Sequence, residues 1–210
     1  MAKTSLLYKN AFIYESFMRL LYGKHYKARY ISVGEEIPDG VKVLDVCCGP
    51  CALYTLALRG RADYRGIDIN QQFIENAARL SVTVLPLDIR AEPLPDADYV
   101  VMQGSLYQFV PRQKEIVDKL LSGSSDKVII SEPVRNLSNS RNPLISAIAR
   151  HSTDPGTGHK EERFTEESFR AFFTANYSER IEKFKFVPGG RDFIVVLNAR
   201  KEKERAAGRL

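Results

Sequence analysis

Between Val41 and Ser131 the chain alternates short apolar runs with helix-like stretches, and this rhythm limits its possible folds more than any other feature. Val41–Val46, Tyr64–Ile69, Val82–Leu87, Ala97–Met102 and Lys127–Ser131 read as buried strands. Ala52–Arg59, Gln71–Leu80 and Arg112–Leu121 read as helices between them, with Gly60 and Gly123–Ser125 as stops and Pro111 as a helix start. Such alternation builds βαβ units, and so a parallel sheet covered on both faces. Further on, Thr165 suits the N-cap of a helix running to Ala175. Arg180–Val187 and Asp192–Ala199 then read as two strands joined through Pro188-Gly189-Gly190. That turn is too short for a crossover helix, so the pair forms an antiparallel hairpin. The expected class is α/β with a mostly parallel sheet.

Ahead of the sheet, Phe12, Ile13, Phe17, Leu20 and Leu21 fall on one face of a helix over Asn10–Tyr22, which Gly23 can end. A basic and aromatic segment, Lys24–Tyr30, leads into a polar link closing at Pro38–Gly40. Asn136–Gly158, rich in Asn, Ser, Pro and Gly, reads as a loop region with a short helix around Leu144–Arg150. A length of 210 residues suits one domain. It divides into an N-terminal helical cap (1–39), a core (40–199) and a basic tail (200–210). The net charge of +5 owes much to that tail, and no basic–aromatic stripe accompanies it, so nucleic acid is not the expected partner. All three cysteines lie within Cys47–Cys51, an odd cluster that offers no disulfide framework and suggests a reducing compartment. Met1–Asn10 lacks the apolar region of a signal peptide, and no run approaches the ~18 apolar residues of a membrane span. The expected location is cytoplasmic.

Ligands of open parallel sheets bind beyond the carboxyl ends of the strands, at the point where strand order reverses. The first strand runs there into Asp45-Val46-Cys47-Cys48-Gly49-Pro50-Cys51-Ala52. Gly49 lets backbone approach a ligand closely, and the amides of a helix start follow. As a phosphate cradle this turn is poor: Pro50 has no N–H, and the G-x-G-x-x-G spacing of dinucleotide sites is missing. Asp68 closes the second strand about 20 residues later, where a carboxylate can accept from both hydroxyls of a ribose.

These residues resemble the motifs of class I S-adenosylmethionine-dependent methyltransferases. Val43-Leu44-Asp45-Val46-Cys47-Cys48-Gly49-Pro50-Cys51 matches the first motif, with Asp45 and the central glycine, Gly49, retained. Cys47 and Cys51 stand at the first and third glycine positions, with Cys48 between, and each Cβ is expected to narrow the space near the methionine part of the cofactor. Tyr64-Arg65-Gly66-Ile67-Asp68-Ile69-Asn70 is similar to the second motif, where Asp68 would hold the ribose and Ile69 flanks it. Leu85-Pro86-Leu87-Asp88-Ile89 is similar to the third, and the resemblance implies that Asp88 reaches the adenine amino group and Ile89 packs on the ring. Asp98–Ser105 resembles the fourth, with Gln103 near the methionine moiety, and Lys127–Pro133 resembles the fifth strand. The resemblance implies a Rossmann-like, seven-stranded sheet, S-adenosylmethionine as cofactor and S-adenosylhomocysteine as product. The aromatic N-terminal helix either packs as a plain cap or closes over the pocket and lends Tyr14 to the cofactor.

Cys48 and Cys51 form a C-x-x-C, but no second pair completes a zinc site, and His25, His151 and His159 are distant in sequence, so no metal is expected. Tyr107 and Gln108 occupy a segment where relatives often carry histidine, which removes a histidine base there. Glu132 and Arg135 follow the fifth strand and either pair with each other at the surface or contact a polar acceptor. His151, His159 and Arg163 fall in the region that sets substrate choice in the family. Methyl transfer needs alignment and exclusion of water more than a fixed base, so no catalytic residue is assigned. The expected acceptor is a small molecule. An RNA methyltransferase, motivated by the basic balance, and a non-catalytic cofactor-binding module, motivated by the two cysteines, are the rivals. The N-terminal aromatic face can cover its own sheet or a neighbour's, which leaves a homodimer open.

Overall fold

The computed structural model describes residues 11–135 and 163–200. The expected loop and helix between Asn136 and Gly158, with His151 and His159, lie outside the described residues, as does the tail beyond Arg200. Seven strands form one sheet: β1 (Lys42–Val46), β2 (Asp63–Asp68), β3 (Thr83–Pro86), β4 (Ala97–Gln103), β5 (Ser124–Pro133), β6 (Ile181–Phe186) and β7 (Asp192–Asn198). Their order is β3-β2-β1-β4-β5-β7-β6. The first five run parallel, whereas β7 pairs antiparallel with both β5 and β6. The Rossmann-like sheet and its closing antiparallel hairpin are thus as expected.

Among the described residues five α-helices frame this sheet: α1 (Ala11–Tyr22), α2 (Tyr26–Gly34), α3 (Gln71–Arg79), α4 (Gln113–Ser122) and α5 (Glu166–Tyr177). Alternate residues of a strand face opposite sides, and β1 shows it. Leu44 and Val46 join Ile116, Val117, Leu120, Phe169 and Phe173 of α4 and α5 in one apolar layer. Val43 joins Val33, Leu53, Leu58 and Ala77 in the other, formed by α2, the helical segment that follows the turn after β1 (with a π-helical stretch, Tyr54–Leu58) and α3. Thr165 caps α5 by accepting from the Ser168 N–H at 3.1 Å, and Ser168 Oγ accepts in return from the Thr165 N–H at 2.9 Å.

Two elements differ from the sequence reading. Lys24–Tyr30, left unassigned above, lies largely within α2, whose buried residues Tyr26, Arg29 and Val33 fall on one face. A charged residue in the middle of that face breaks the apolar period that marks a helix. The fifth strand starts at Ser124, not Lys127, because the polar run Ser124-Ser125-Asp126 looks like a turn. In the fold, the Ser124 hydroxyl makes 2.9 Å contacts with the carbonyls of Asp98 and Lys127, at an irregular register with β4.

From β1 the chain steps outward to β2 and β3, then returns to place β4 on the other flank of β1. Strand order reverses between β1 and β4, so a crevice opens at their carboxyl ends. The cap crosses this edge. Tyr14 of α1 meets Phe73 of α3 edge-on, with ring centroids 5.4 Å apart. Arg29 of α2 is paired with Asp192 of β7, Nε to Oδ2 3.2 Å, and both side chains are buried. The Tyr22 hydroxyl donates to Asp192 Oδ1 at 3.2 Å, and the Arg191 guanidinium donates to the Leu21 carbonyl at 2.6 Å. Charge and aromatic contacts therefore pin the cap to the hairpin. No helix among the described residues is long and apolar enough to cross a membrane.

Candidate functional site

The turn after β1 carries three left-handed residues at alternate positions: Cys47 (φ +58°), Gly49 (φ +56°) and Cys51 (φ +58°). Glycine adopts this conformation freely, whereas a residue with a Cβ spends roughly 1–2 kcal/mol on it. The backbone of an alternating-glycine turn is thus present with two of its glycines replaced. A Cβ on Gly49 would meet nothing within 4 Å, so the turn faces open space there.

The two cysteines are not equivalent. Cys51 is fully buried, its sulfur 4.0 Å from that of Cys48, in the layer beneath the turn. This corrects the expectation that both Cβ atoms narrow the crevice. Only Cys47 remains half-exposed; burial pushes its thiol up, helped by the charges of Asp68, Asp45, Asp88 and Glu132. Cys47→Gly is expected to leave Tm unchanged or raise it slightly. It relieves left-handed strain, offset by about 0.5–1 kcal/mol of extra chain entropy in the unfolded state. Cys51→Gly, which empties a packed site, is expected to lower Tm. Thermal melts of the two variants check this contrast, and a Cys47→Gly protein that melts well below wild type contradicts it.

Asp68 ties the two lips of the crevice together. Its Oδ2 accepts from the Gly49 N–H at 2.9 Å and its Oδ1 from the Asn70 N–H at 2.8 Å. Burial pushes its carboxyl up, while the N–H groups of Asn70, Gly49 and Ile69 oppose that shift. A carboxylate has about four acceptor positions, so each oxygen keeps capacity for a ligand hydroxyl. Along the same edge Ile69 is 65% exposed, and Asp88 is half-exposed and locked to Arg90, Oδ2 to Nη2 2.7 Å. The hydrogen bond from Arg90 holds the Asp88 carboxyl below its ordinary range.

Three expected cofactor residues turn elsewhere. Asp45 is buried and accepts from the Tyr64 hydroxyl at 2.7 Å; burial pushes its carboxyl up to about 7 against that bond. It braces β1 on β2. The Cys48 side chain is buried against Gly66, where an added Cβ would lie 2.6 Å from its sulfur. Ile89 is a core residue, 4% exposed, so Ile69 is the apolar side chain this edge presents.

On the β4 side, Gln103 donates to the Arg29 carbonyl at 3.3 Å. Tyr14 of the cap is within electrostatic reach of both sides: burial pushes its hydroxyl up to about 12, and it feels Tyr30, Arg29, Asp68 and Arg163. Arg29 was missed by sequence reasoning. It is 5% exposed, its Nε and Nη1 make no hydrogen bond, and its Nη2 lies 3.4 Å from where a Cβ of Gly104 would be. The available signal was Asp192, a charge directly ahead of the apolar run Phe193–Leu197, which required a buried partner.

Glu132 and Arg135 do not pair, which corrects the surface-pair alternative. Glu132 is fully buried at the end of β5, and its Oε1 accepts from the N–H groups of Ser105 (2.8 Å) and Leu106 (2.7 Å). Arg135 is exposed and lies over the Phe186 ring. Tyr107 is buried beneath Arg163. No group of His, Cys, Asp and Glu among the described residues is arranged to hold a metal.

Burial pushes the Glu132 carboxyl from 4.5 to about 8, opposed by the N–H groups of Leu106 and Ser105 and by Arg163, with Asp192 reinforcing it. The folded chain therefore binds more protons than the unfolded one between those values. Stability from this group is greatest below the unfolded value and declines as pH rises through the folded one. Glu132→Gln is expected to flatten that decline, so that variant minus wild-type Tm grows from about pH 5 to about pH 9. Parallel Tm curves would contradict it.

The fold recurs in solved methyltransferases. Magnesium protoporphyrin IX methyltransferase of Synechocystis PCC 6803, with S-adenosylhomocysteine bound, matches at a TM-score of 0.63 and 16% identity, over 89% of this chain and 94% of that one. An O-methyltransferase family 2 protein of Planctomyces limnophilus in complex with apigenin matches at 0.60 and 16%, over 88% and 61%. Human N-acetylserotonin methyltransferase with S-adenosylmethionine matches at 0.63 and 13%, over 93% and 58%. At these identities the likeness concerns the fold. No curated protein sequence matches the chain. The family model described as methionine biosynthesis protein MetW matches residues 27–154, from α2 to beyond β5. The chain belongs to the MetW family and has the class I methyltransferase fold.

Proposed function

We propose that this protein is an S-adenosylmethionine-dependent methyltransferase acting on a small-molecule acceptor. The observation that carries the reading is the coupling of Gly49 to Asp68: an open left-handed turn whose N–H is held by the carboxylate at the end of the neighbouring strand. Solved proteins of this fold bind S-adenosylmethionine or S-adenosylhomocysteine, which supports the same ligand here.

The residues present fit that cofactor. Asp68 would accept from the ribose hydroxyls, Ile69 would lie against the adenine, and Asp88, held by Arg90, marks the far end of the adenine edge. The methionine part then points toward β4, where Gln103 lies and where Arg29 keeps buried N–H groups without acceptors. A carboxylate is the natural partner for such a guanidinium. Cys47 would border the sulfur, and Tyr14 would close the crevice from above. When bound, the cofactor supplies a methyl group on a positively charged sulfur, which leaves as a neutral thioether. The chain's part is to align, to exclude water through the α1–α2 cap, and to hold the acceptor in line.

Incubation with methyl-labelled S-adenosylmethionine and a fractionated cell extract tests the reading. Label is expected in the small-molecule fraction. Label in RNA would replace the reading with the RNA methyltransferase alternative. Cofactor binding with no transfer to any fraction would favour a non-catalytic module.

A further inference from the structure

We infer that the methyl acceptor carries a carboxylate and that Arg163 docks it; this rests on the methyltransferase reading above. Arg163 lies over the Tyr107 ring, its guanidinium carbon 4.3 Å from the centroid, and donates through Nη2 to the Tyr107 hydroxyl at 3.4 Å. A guanidinium offers five N–H donors in a rigid fork, and this contact engages one. Arg163 is half-buried, and among the described residues it forms no ion pair.

Glu132, whose carboxyl feels the Arg163 charge, makes no hydrogen bond to it. Glu132 spends Oε1 on two backbone N–H groups, and its buried Oε2 has no partner. Among the other cations of this edge, Arg29 pairs with Asp192 and keeps its remaining N–H groups for the cofactor, while Arg135, also without an ion pair among the described residues, is exposed to solvent over Phe186. Arg163 is thus the half-buried guanidinium of this edge without an ion pair among the described residues, held in place by an aromatic ring.

Through Tyr107, Arg163 is anchored on the β4 flank of β1, whereas Asp68 ends β2 on the other flank. Tyr107 belongs to the short helical segment Leu106–Phe109, directly after β4, and Glu132 lies near the end of β5, whereas Asp68 ends β2. Tyr14 feels the charges of both Asp68 and Arg163, so both flanks lie within electrostatic reach of it. An acceptor reaching the methyl group from β4 and β5 passes under Arg163. A single uncompensated charge suits a monoanion, and the planar fork matches a carboxylate in two parallel hydrogen bonds. A phosphate dianion would keep one charge unbalanced beside Glu132.

The test uses the full-length protein saturated with S-adenosylhomocysteine, titrated calorimetrically with benzoate, benzamide and phenyl phosphate. Benzoate and benzamide share a shape and differ in charge. Benzoate is expected to saturate at millimolar concentration, at least about tenfold more tightly than benzamide. Arg163→Gln is expected to abolish that preference while still binding S-adenosylhomocysteine, which shows that the variant is folded. Equal binding of benzoate and benzamide, a preference that survives in Arg163→Gln, tighter binding of phenyl phosphate, or no saturable benzoate binding would each overturn the inference. Failure of wild-type protein to bind S-adenosylhomocysteine would instead remove the cofactor reading beneath it.

Discussion

Asp192→Asn is expected to destabilise the protein by about 3–5 kcal/mol and to lower Tm on the order of 10 °C. The substitution keeps the size of the side chain and removes its charge. Arg29, 5% exposed and paired with Asp192, would then be a buried cation without a counter-charge. Breaking one side of such a pair costs far more than the intact pair contributes, because desolvation of the survivor is no longer offset. The Tyr22 ring and hydroxyl add to the effect: Arg29 stacks on Tyr22 at 4.0 Å, and Tyr22 donates to Asp192. Since these contacts join α1 and α2 to the hairpin, loss of amide protection should be concentrated in residues 11–34. Calorimetric melting combined with hydrogen exchange checks both parts. An unchanged Tm with wild-type protection of the cap would show that the cap is held by other means.

Asp68→Ala is expected to weaken S-adenosylhomocysteine binding by about 10²–10⁴-fold. Two charge-assisted bonds to the ribose would vanish, each contributing about 1.5–3 kcal/mol. The same change frees the Gly49 and Asn70 N–H groups that the carboxylate now gathers, so the two lips of the crevice lose their tie. Asp68→Asn retains one acceptor oxygen at the same place and should lose less. A loss as large in the asparagine variant as in the alanine variant would indicate that charge alone matters. Equal affinity in wild type and Asp68→Ala would remove Asp68 from the site.

Most of the sheet was legible because its strands are apolar runs separated by turn residues, and apolar periodicity reports burial directly. The geometry of the candidate site was legible where a backbone conformation or a carboxylate position is fixed by the strand-turn-strand geometry, as at Gly49 and Asp68. It was illegible where a polar side chain is buried by a partner far along the chain. Arg29 and Asp192 are 163 residues apart in number and meet at 3.2 Å, which no local pattern announces. The same holds for Glu132, whose nearness to Arg135 in sequence suggested a surface pair, while β-strand alternation turned it inward onto the backbone of Ser105 and Leu106. Cys47 and Cys51 look alike as glycine replacements, yet one lines the crevice and the other is sealed in the core. Alternation of the turn cannot tell which side the α2 layer will cover.

Calorimetric titration of the purified, folded protein with S-adenosylmethionine and S-adenosylhomocysteine tests the central claim most directly. The crevice built from Gly49, Asp68, Gln103 and Arg29 is expected to bind both saturably, one molecule per chain. A protein with a normal cooperative melt that binds neither ligand would contradict it, and would mean that Cys47 closes a cradle whose backbone is otherwise in place.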